Sequence, residues 1–552
     1  MRWTRAVVPA SILSIMIAGC GAGPSDRPGV AIERPPVAGE ATTSAAAPAP
    51  PPRPRPKTPK SRGGWPPPPR GRRARPPPRP APPRPPPQAE VPKTDLSWRE
   101  CTTPTLDLLG LGPAPEGLVL ECAEYSTPID ASGAILGSFR NGAIRARLPQ
   151  TPADAAPVVL TSGTDRSSTA TLAGLAVGPA NAILAQRPIV AVDRRGIGSS
   201  QPIDCLPPEI RTAMHDNAQF SPGGDQIETM AELSQDATIA CRDFLQPYDG
   251  TFDAAHAADD IEQLRKQWQV DHIALLGTGN GALVAMAYAR KFGDHLSRLV
   301  LDSPHAVGVD AVTKGEQQVQ GAEAALTAFA QRCVGLKCSL GPDPRGKVTE
   351  LLGKATAGQL GDISANGLLT AITGFLGSPR SDQNNRVTEL ADALSAADRG
   401  DLAPLDNQIQ RATSATADDG QFVNGCTDTQ QPPTAGQAAG LAEDWGAKYP
   451  VFGRAAAISL LTCSAWPVLT PPAAPEKLAL PVLVLAGVAD PVSGAGQASV
   501  TGALGRAGAR NATLTWQGYG HPVSNHSGCA QRAVVEYLKD AKLPADGTAC
   551  PA

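Results

Sequence analysis

From Val91 onward, apolar residues come in short β-branched runs separated by stretches of helical periodicity. That is the pattern of a mostly parallel sheet covered by helices on both faces. Residues 157–160, 188–192, 272–276 and 298–301 read as buried strands, the third passing through a glycine-rich turn into an amphipathic stretch at 282–292. The interval from 306 to 474 lacks such runs and is rich in helix and loop patterns. Strand patterns resume at 481–485 and 512–516 and close with a helix near 530–538. Two strand-bearing segments around a helical one make the interval an insertion, predicted to be a mainly helical cap over the carboxyl ends of the strands. Internal repeats are absent.

The amino-terminal residues do not fit this core. Arg2 and Arg5 precede an apolar stretch at 6–18 that is too short to span a bilayer. It ends in Ile17-Ala18-Gly19-Cys20, which resembles a bacterial lipoprotein signal. That likeness implies removal of residues 1–19, lipidation of Cys20 and export to the outer face of the cytoplasmic membrane or the cell wall. Each buried acyl methylene would contribute about 0.8 kcal/mol to anchoring. Residues 20–94 are expected to form a disordered Pro/Arg-rich stalk. Between 41 and 88 it holds eleven Arg and Lys residues, Arg53 to Arg84, and no acidic ones. Extended as polyproline II at ~3.1 Å per residue, it would reach on the order of 200 Å.

The net charge of −3 includes those eleven cations, so the remaining chain is acidic. Such a body is no partner for nucleic acid or other polyanions. The 41% hydrophobic and 4% aromatic content suits an Ala-, Leu- and Val-rich globular body. Setting Cys20 aside leaves an even number of cysteines, which in an exported chain points to disulfides. Many pairings are open to the sequence alone. Joining sequential neighbours gives Cys101–Cys122, Cys205–Cys241, Cys333–Cys338, Cys426–Cys463 and Cys529–Cys550. Without a CxxC pair or a nearby His pair, no metal site is expected.

Catalytic side chains of a parallel sheet gather at the carboxyl ends of its strands. Gly277-Thr278-Gly279-Asn280-Gly281 stands at such an end and has the flanks of a G-x-S-x-G nucleophile elbow, with Gly279 at its centre. Neither a Walker lysine nor G-x-G-x-x-G spacing accompanies it, so no nucleotide or other cofactor is expected. Asp490, in Gly487-Val488-Ala489-Asp490-Pro491, and His521, in Tyr519-Gly520-His521-Pro522, also follow strands. The order 279, 490, 521 is the nucleophile, acid, histidine order of α/β-hydrolases. In such a triad the carboxylate orients the imidazole, which deprotonates the nucleophile.

With these residues in place, the body from about residue 95 resembles the tripeptidyl-aminopeptidase-like serine peptidases of actinobacteria, in the proline-iminopeptidase clan of α/β-hydrolases. The likeness runs through Trp98-Arg99-Glu100-Cys101, Val190 to Gly198, Val300-Leu301-Asp302, Cys463-Ser464-Ala465-Trp466-Pro467 and the tail from Gly520 to Cys550. It implies an α/β-hydrolase core in two parts, 95–306 and 476–552, with a cap insertion at 307–475 and a carboxyl-terminal region of the family's own type. It also implies cleavage of short peptides from free amino termini. Two departures oppose that activity. The nucleophile serine is Gly279, and the glycine-rich oxyanion loop is Thr161-Ser162-Gly163-Thr164-Asp165-Arg166-Ser167-Ser168.

Asn280, Gly163 and Thr164 remain the candidates to line an oxyanion hole, but Asp165 facing the crevice would repel an oxyanion. The expectation is a relative impaired or inactive as a peptidase, binding a peptide or an envelope protein. The alternatives are a working hydrolase that uses Thr278, Ser303, Ser162 or water activated by His521, and a purely structural envelope protein.

Overall fold

The computed structural model describes residues 87–179, 181–380, 383–414, 419–467 and 474–552. The signal, Cys20 and the stalk up to residue 86 lie outside the described residues. Ten strands form one sheet: β1 (Arg99–Glu100), β2 (Val119–Pro128), β3 (Ser138–Arg147), β4 (Val158–Thr161), β5 (Ile189–Val192), β6 (Ile273–Thr278), β7 (Leu296–Asp302), β8 (Val482–Ala489), β9 (Asn511–Tyr519) and β10 (Thr548–Cys550). Their spatial order is β1-β2-β3-β5-β4-β6-β7-β8-β9-β10. Antiparallel pairing joins β1 through β3 and on to β5, and every pairing from β5 to β10 is parallel. The expected α/β class, a mostly parallel sheet with helices on both faces, is what the chain adopts.

Strand periodicity explains why both faces are dry. Val159, Leu275, Leu299, Leu301 and Val484 point to one face, where Ile261, Leu264 and Tyr288 cover them. Leu160, Leu276, Val300, Leu483 and Leu485 point to the other, against Leu172, Leu175, Val534 and Tyr537. At roughly 1.5–3 kcal/mol for each fully buried large apolar side chain, these two layers supply the main driving force for the sheet. Residues at the stalk's expected end already touch this body: Glu90 and Lys93 donate backbone N–H groups to the His272 and Trp268 carbonyls.

The helices from Ala311 to Ser459 bury their own apolar cluster, which includes Leu326, Phe329, Leu351, Ile372 and Leu394. A second chain segment joins this cap. The helix Gln226–Leu245, inserted between β5 and β6, packs Met230 against Ala438, Ile458 and Leu461. Two disulfides, Cys205–Cys241 and Cys426–Cys463, fall in one cluster with Val423 and Trp466 where these segments meet. Cys101–Cys122, Cys333–Cys338 and Cys529–Cys550 complete the bonded set, so all five sequential pairings form. Among the described residues no helix is long and apolar enough to cross a membrane.

Candidate active site

The turn after β6 is fixed by close packing. A Cβ at Gly281 would lie 2.1 Å from the Thr161 carbonyl oxygen, so only glycine lets the following helix, Gly281–Phe292, start against the end of β4. Gly279 at the tip has φ +54°, the left-handed region in which a side chain is strained. Its N–H donates to the Asp302 carbonyl at 3.0 Å, and its own carbonyl accepts from His305 N–H at 3.2 Å.

Asp490 and His521 leave the ends of β8 and β9 and meet. His521 Nδ1 lies 3.0 Å from Asp490 Oδ2 and 3.2 Å from Oδ1. The backbone N–H groups of Val492 and Ser493 donate to Asp490 Oδ1 at 2.9 and 2.8 Å, which fixes the carboxylate. Behind the histidine, Asp302 accepts the N–H groups of Val523 and Ser524 at 3.0 and 2.8 Å. These bonds hold the turn that carries His521.

The loop after β4 brings in a second carboxylate. Gly163 N–H donates to the Arg166 carbonyl at 3.1 Å, closing the loop on itself, while Ser167 caps the helix Ser168–Val177. Asp165 is thereby carried to the centre of the site, with its side chain only 6% exposed. Its Oδ2 lies 3.3 Å from His521 Nε2, an ion pair without the alignment of a hydrogen bond. Its Oδ1 accepts the Asn280 backbone N–H at 3.0 Å. A Cβ at Gly279 would meet Asp165 Oδ2 at 2.6 Å and Oδ1 at 2.9 Å. The space in which a side chain at position 279 would begin is filled by this carboxylate.

His521 therefore sits between two carboxylates. Burial opposes its charge, but Asp490 and Asp165 outweigh burial and hold its pKa up to about 10. Burial likewise works against both carboxylates, and the histidine overrides it: Asp490 is lowered, and Asp165 is held well below the usual carboxylate range. At neutral pH the arrangement is an imidazolium clamped by two anions, which has no lone pair with which to accept a proton.

The remaining expected residues are placed as follows. The Asn280 N–H is engaged by Asp165, and Asn280 Oδ1 accepts from Arg194 Nη1 at 2.8 Å. Gly163 donates its N–H inside its own loop, and Thr164 faces the cap near Gly425. Ser162 Oγ accepts from Thr171, Ser303 Oγ donates to Asp302, and Thr278 Oγ1 is buried without a partner. None of these three hydroxyls hydrogen-bonds His521, whose Nε2 faces Asp165. Among the described residues no group of His, Cys, Asp and Glu is gathered as a metal-ligand set. A cavity of about 400 Å³ opens beside Asp165 and is bordered by Arg166, Gln318, Phe375 and Val492.

Known proteins share parts of this chain. Residues 449–550 match the family model described as TAP-like protein, and residues 175–338 match the one described as alpha/beta hydrolase fold. The serine protease Hip1 of Mycobacterium tuberculosis and of Mycobacterium bovis is 23% identical over 391 residues, covering 66% of this chain and 74% of the relative. Among solved structures, an esterase from Thermogutta terrifontis is 15% identical and covers 75% of this chain and 98% of its own, with a TM-score of 0.33. Esterase E22 is 13% identical and covers 76% and 100%, with a TM-score of 0.38.

Proposed function

We propose that this chain, an α/β hydrolase with a TAP-like carboxyl-terminal region and a relative of mycobacterial serine proteases, is impaired or inactive as a peptidase and uses its crevice to bind a peptide or an envelope partner. One observation carries the reading: the Asp165 carboxylate lies where a side chain on Gly279 would begin and pairs with His521 Nε2. Acyl transfer by a serine hydrolase needs three things at once. The nucleophile must stand on the elbow, the imidazole must be neutral to take its proton, and backbone N–H groups must be free for the oxyanion. Gly279 has no side chain, His521 is held charged, and the Asn280 N–H is donated to an anion already in place. Loss of a single oxyanion donor costs about 10²–10³-fold in turnover, so the combined losses leave little catalysis.

The test is a fluorophosphonate probe together with aminoacyl and tripeptidyl chromogenic substrates, applied to the native protein and to His521→Ala. The expected result is no labelling and no turnover above the His521→Ala background. The intact Asp490–His521 contact favours one other reading, an active hydrolase with a non-standard nucleophile or activated water. Labelling or turnover that disappears in His521→Ala would establish it and overturn the proposal.

The proposal extends to location: a lipid anchor at Cys20 and a Pro/Arg-rich spacer would hold the body at the outer face of the membrane. Full-length protein made in a bacterium with lipoprotein processing should enter the detergent phase on Triton X-114 partition, and Cys20→Ala should stay in the aqueous phase. Aqueous partition of both would remove the anchor from the account.

A further inference from the structure

We propose that a second, smaller cavity beside Gly279 is a binding site for a carboxylate, of the kind carried at the carboxyl terminus of a short peptide. The cavity measures about 150 Å³ and is bordered by Asn280, His305, Val307, Lys314, Gln318 and Leu460. Gln318 also borders the larger cavity beside Asp165, so the two adjoin across one side chain. The proposal rests on the ligand-binding reading above and names the chemistry of the group bound.

A buried unsatisfied ring and a partly buried, unpaired cation point to it. His305 is 6% exposed, and both its ring nitrogens are buried without a hydrogen-bond partner. Buried polar atoms are nearly always paired, so two orphaned nitrogens on one ring call for a missing partner. Lys314 stands in the first turn of the long cap helix Ala311–Leu336, and among the described residues no hydrogen bond or ion pair reaches its ammonium. The cavity wall also carries an acid, Asp428, whose charge is engaged elsewhere: Asp428 Oδ2 accepts from Arg194 at 3.0 Å and Oδ1 from the Ala254 N–H at 2.9 Å.

Lys314 is partly buried and lacks a counter-ion, and a carboxylate set between its ammonium and the buried imidazole N–H would partner both. Burial, with Lys314 nearby, keeps His305 neutral, its pKa pushed down to about 3. The ring thus offers one N–H donor and one acceptor rather than a second charge. With a liquid water taking up about 30 Å³, the cavity has room for a carboxylate and a short aliphatic stem. Val307 and Leu460 supply apolar wall for that stem.

The consequence is a reversal of polarity. The family resemblance implies recognition of a free amino terminus, whereas a peptide ammonium here would face Lys314. The His305 N–H to Gly279 carbonyl bond, at 3.2 Å, puts this site next to the elbow, so a seated peptide would run past Asp165 and His521.

The test is calorimetric titration of the native protein with N-acetyl-Ala-Ala, its carboxamide and propionate, repeated with Lys314→Met and Lys314→Arg. The acid should bind at least about tenfold more tightly than the amide. Lys314→Met should abolish that preference and Lys314→Arg should retain it. Propionate competing with the dipeptide acid identifies the carboxylate alone as the recognised group; binding by the dipeptide only assigns the site to a peptide carboxyl terminus. To stay independent of how the variants fold, the ¹⁵N resonances of the His305 ring are followed in the native protein and should shift on adding the acid but not the amide. Equal binding of acid and amide, no binding of either, or an unmoved His305 ring overturns the carboxylate assignment. Hydrolysis of peptide substrates by the native protein overturns the ligand-binding reading instead, so the two failures are distinguishable.

Discussion

A histidine in a serine hydrolase works because one nitrogen is held by a carboxylate while the other is free to take and return a proton. In this chain the second nitrogen faces Asp165, and the residue that elsewhere would be deprotonated has no side chain. The charge consequence is measurable. Because its folded pKa, about 10, lies above the ordinary 6.5, His521 contributes stability that is complete below 6.5 and is lost as pH rises through 10. Asp490, lowered from 3.8, contributes stability that is complete above 3.8 and is lost as pH falls. NMR of the imidazole nitrogens should find His521 charged at pH 8, with a lower titration midpoint in Asp165→Asn. A native His521 that titrates near its ordinary value would show that the two carboxylates do not clamp it.

At the level of elements, the elbow is a packing device before it is a catalytic one. Gly281→Ala would push a methyl into the Thr161 carbonyl, and overpacking of this kind costs about 1–3 kcal/mol. A lower denaturation midpoint in that variant is the expected outcome, and an unchanged midpoint would mean the β4 contact is loose. The six parallel strands of the interior were legible from their apolar positions between turn residues: β4 to β7 are buried throughout, β8 over most of its length and β9 in alternation. The antiparallel strands β2 and β3 were harder to see. They carry Glu121 and Glu124 on β2 and Arg140, Arg145 and Arg147 on β3, and these charged residues interrupt the apolar run that marks a buried strand. The cap's second segment, Gln226–Leu245, could not be placed from periodicity, because an amphipathic helix does not say which partner its apolar face meets. Loop 162–167 carried one clear signal, an aspartate in an oxyanion loop. Its direction depends on the Gly163 to Arg166 turn, which spacing does not reveal. His305 and Lys314 gave no signal at all, since one follows a strand in an ordinary loop and the other lies on a helix face.

Across the whole molecule, the centre is assembled from distant stretches of chain. The loop after β4, the turn after β6 and the ends of β8 and β9 supply Asp165, Gly279, Asp490 and His521. Arg194, after β5, ties them to the cap by donating to Asn280 and to Asp428 from one guanidinium nitrogen, Nη1. Cap and sheet are therefore coupled at the site itself, and the cavities beside it lie where a ligand would touch both. The fold retains the frame of a hydrolase, including the acid–histidine contact, and one carboxylate occupies the working space. The blockade should therefore be reversible by substitution. Fluorophosphonate labelling of the Gly279→Ser single variant and of the Gly279→Ser, Asp165→Gly double variant tests it most directly. The single variant should label weakly or not at all, because its new Cβ meets Asp165. The double variant, with the Asn280 N–H and His521 Nε2 released, should label at least about tenfold faster and lose that labelling when His521→Ala is added. Equal labelling of the two variants, or labelling of the native protein that depends on His521, would contradict the claim that Asp165 closes the site.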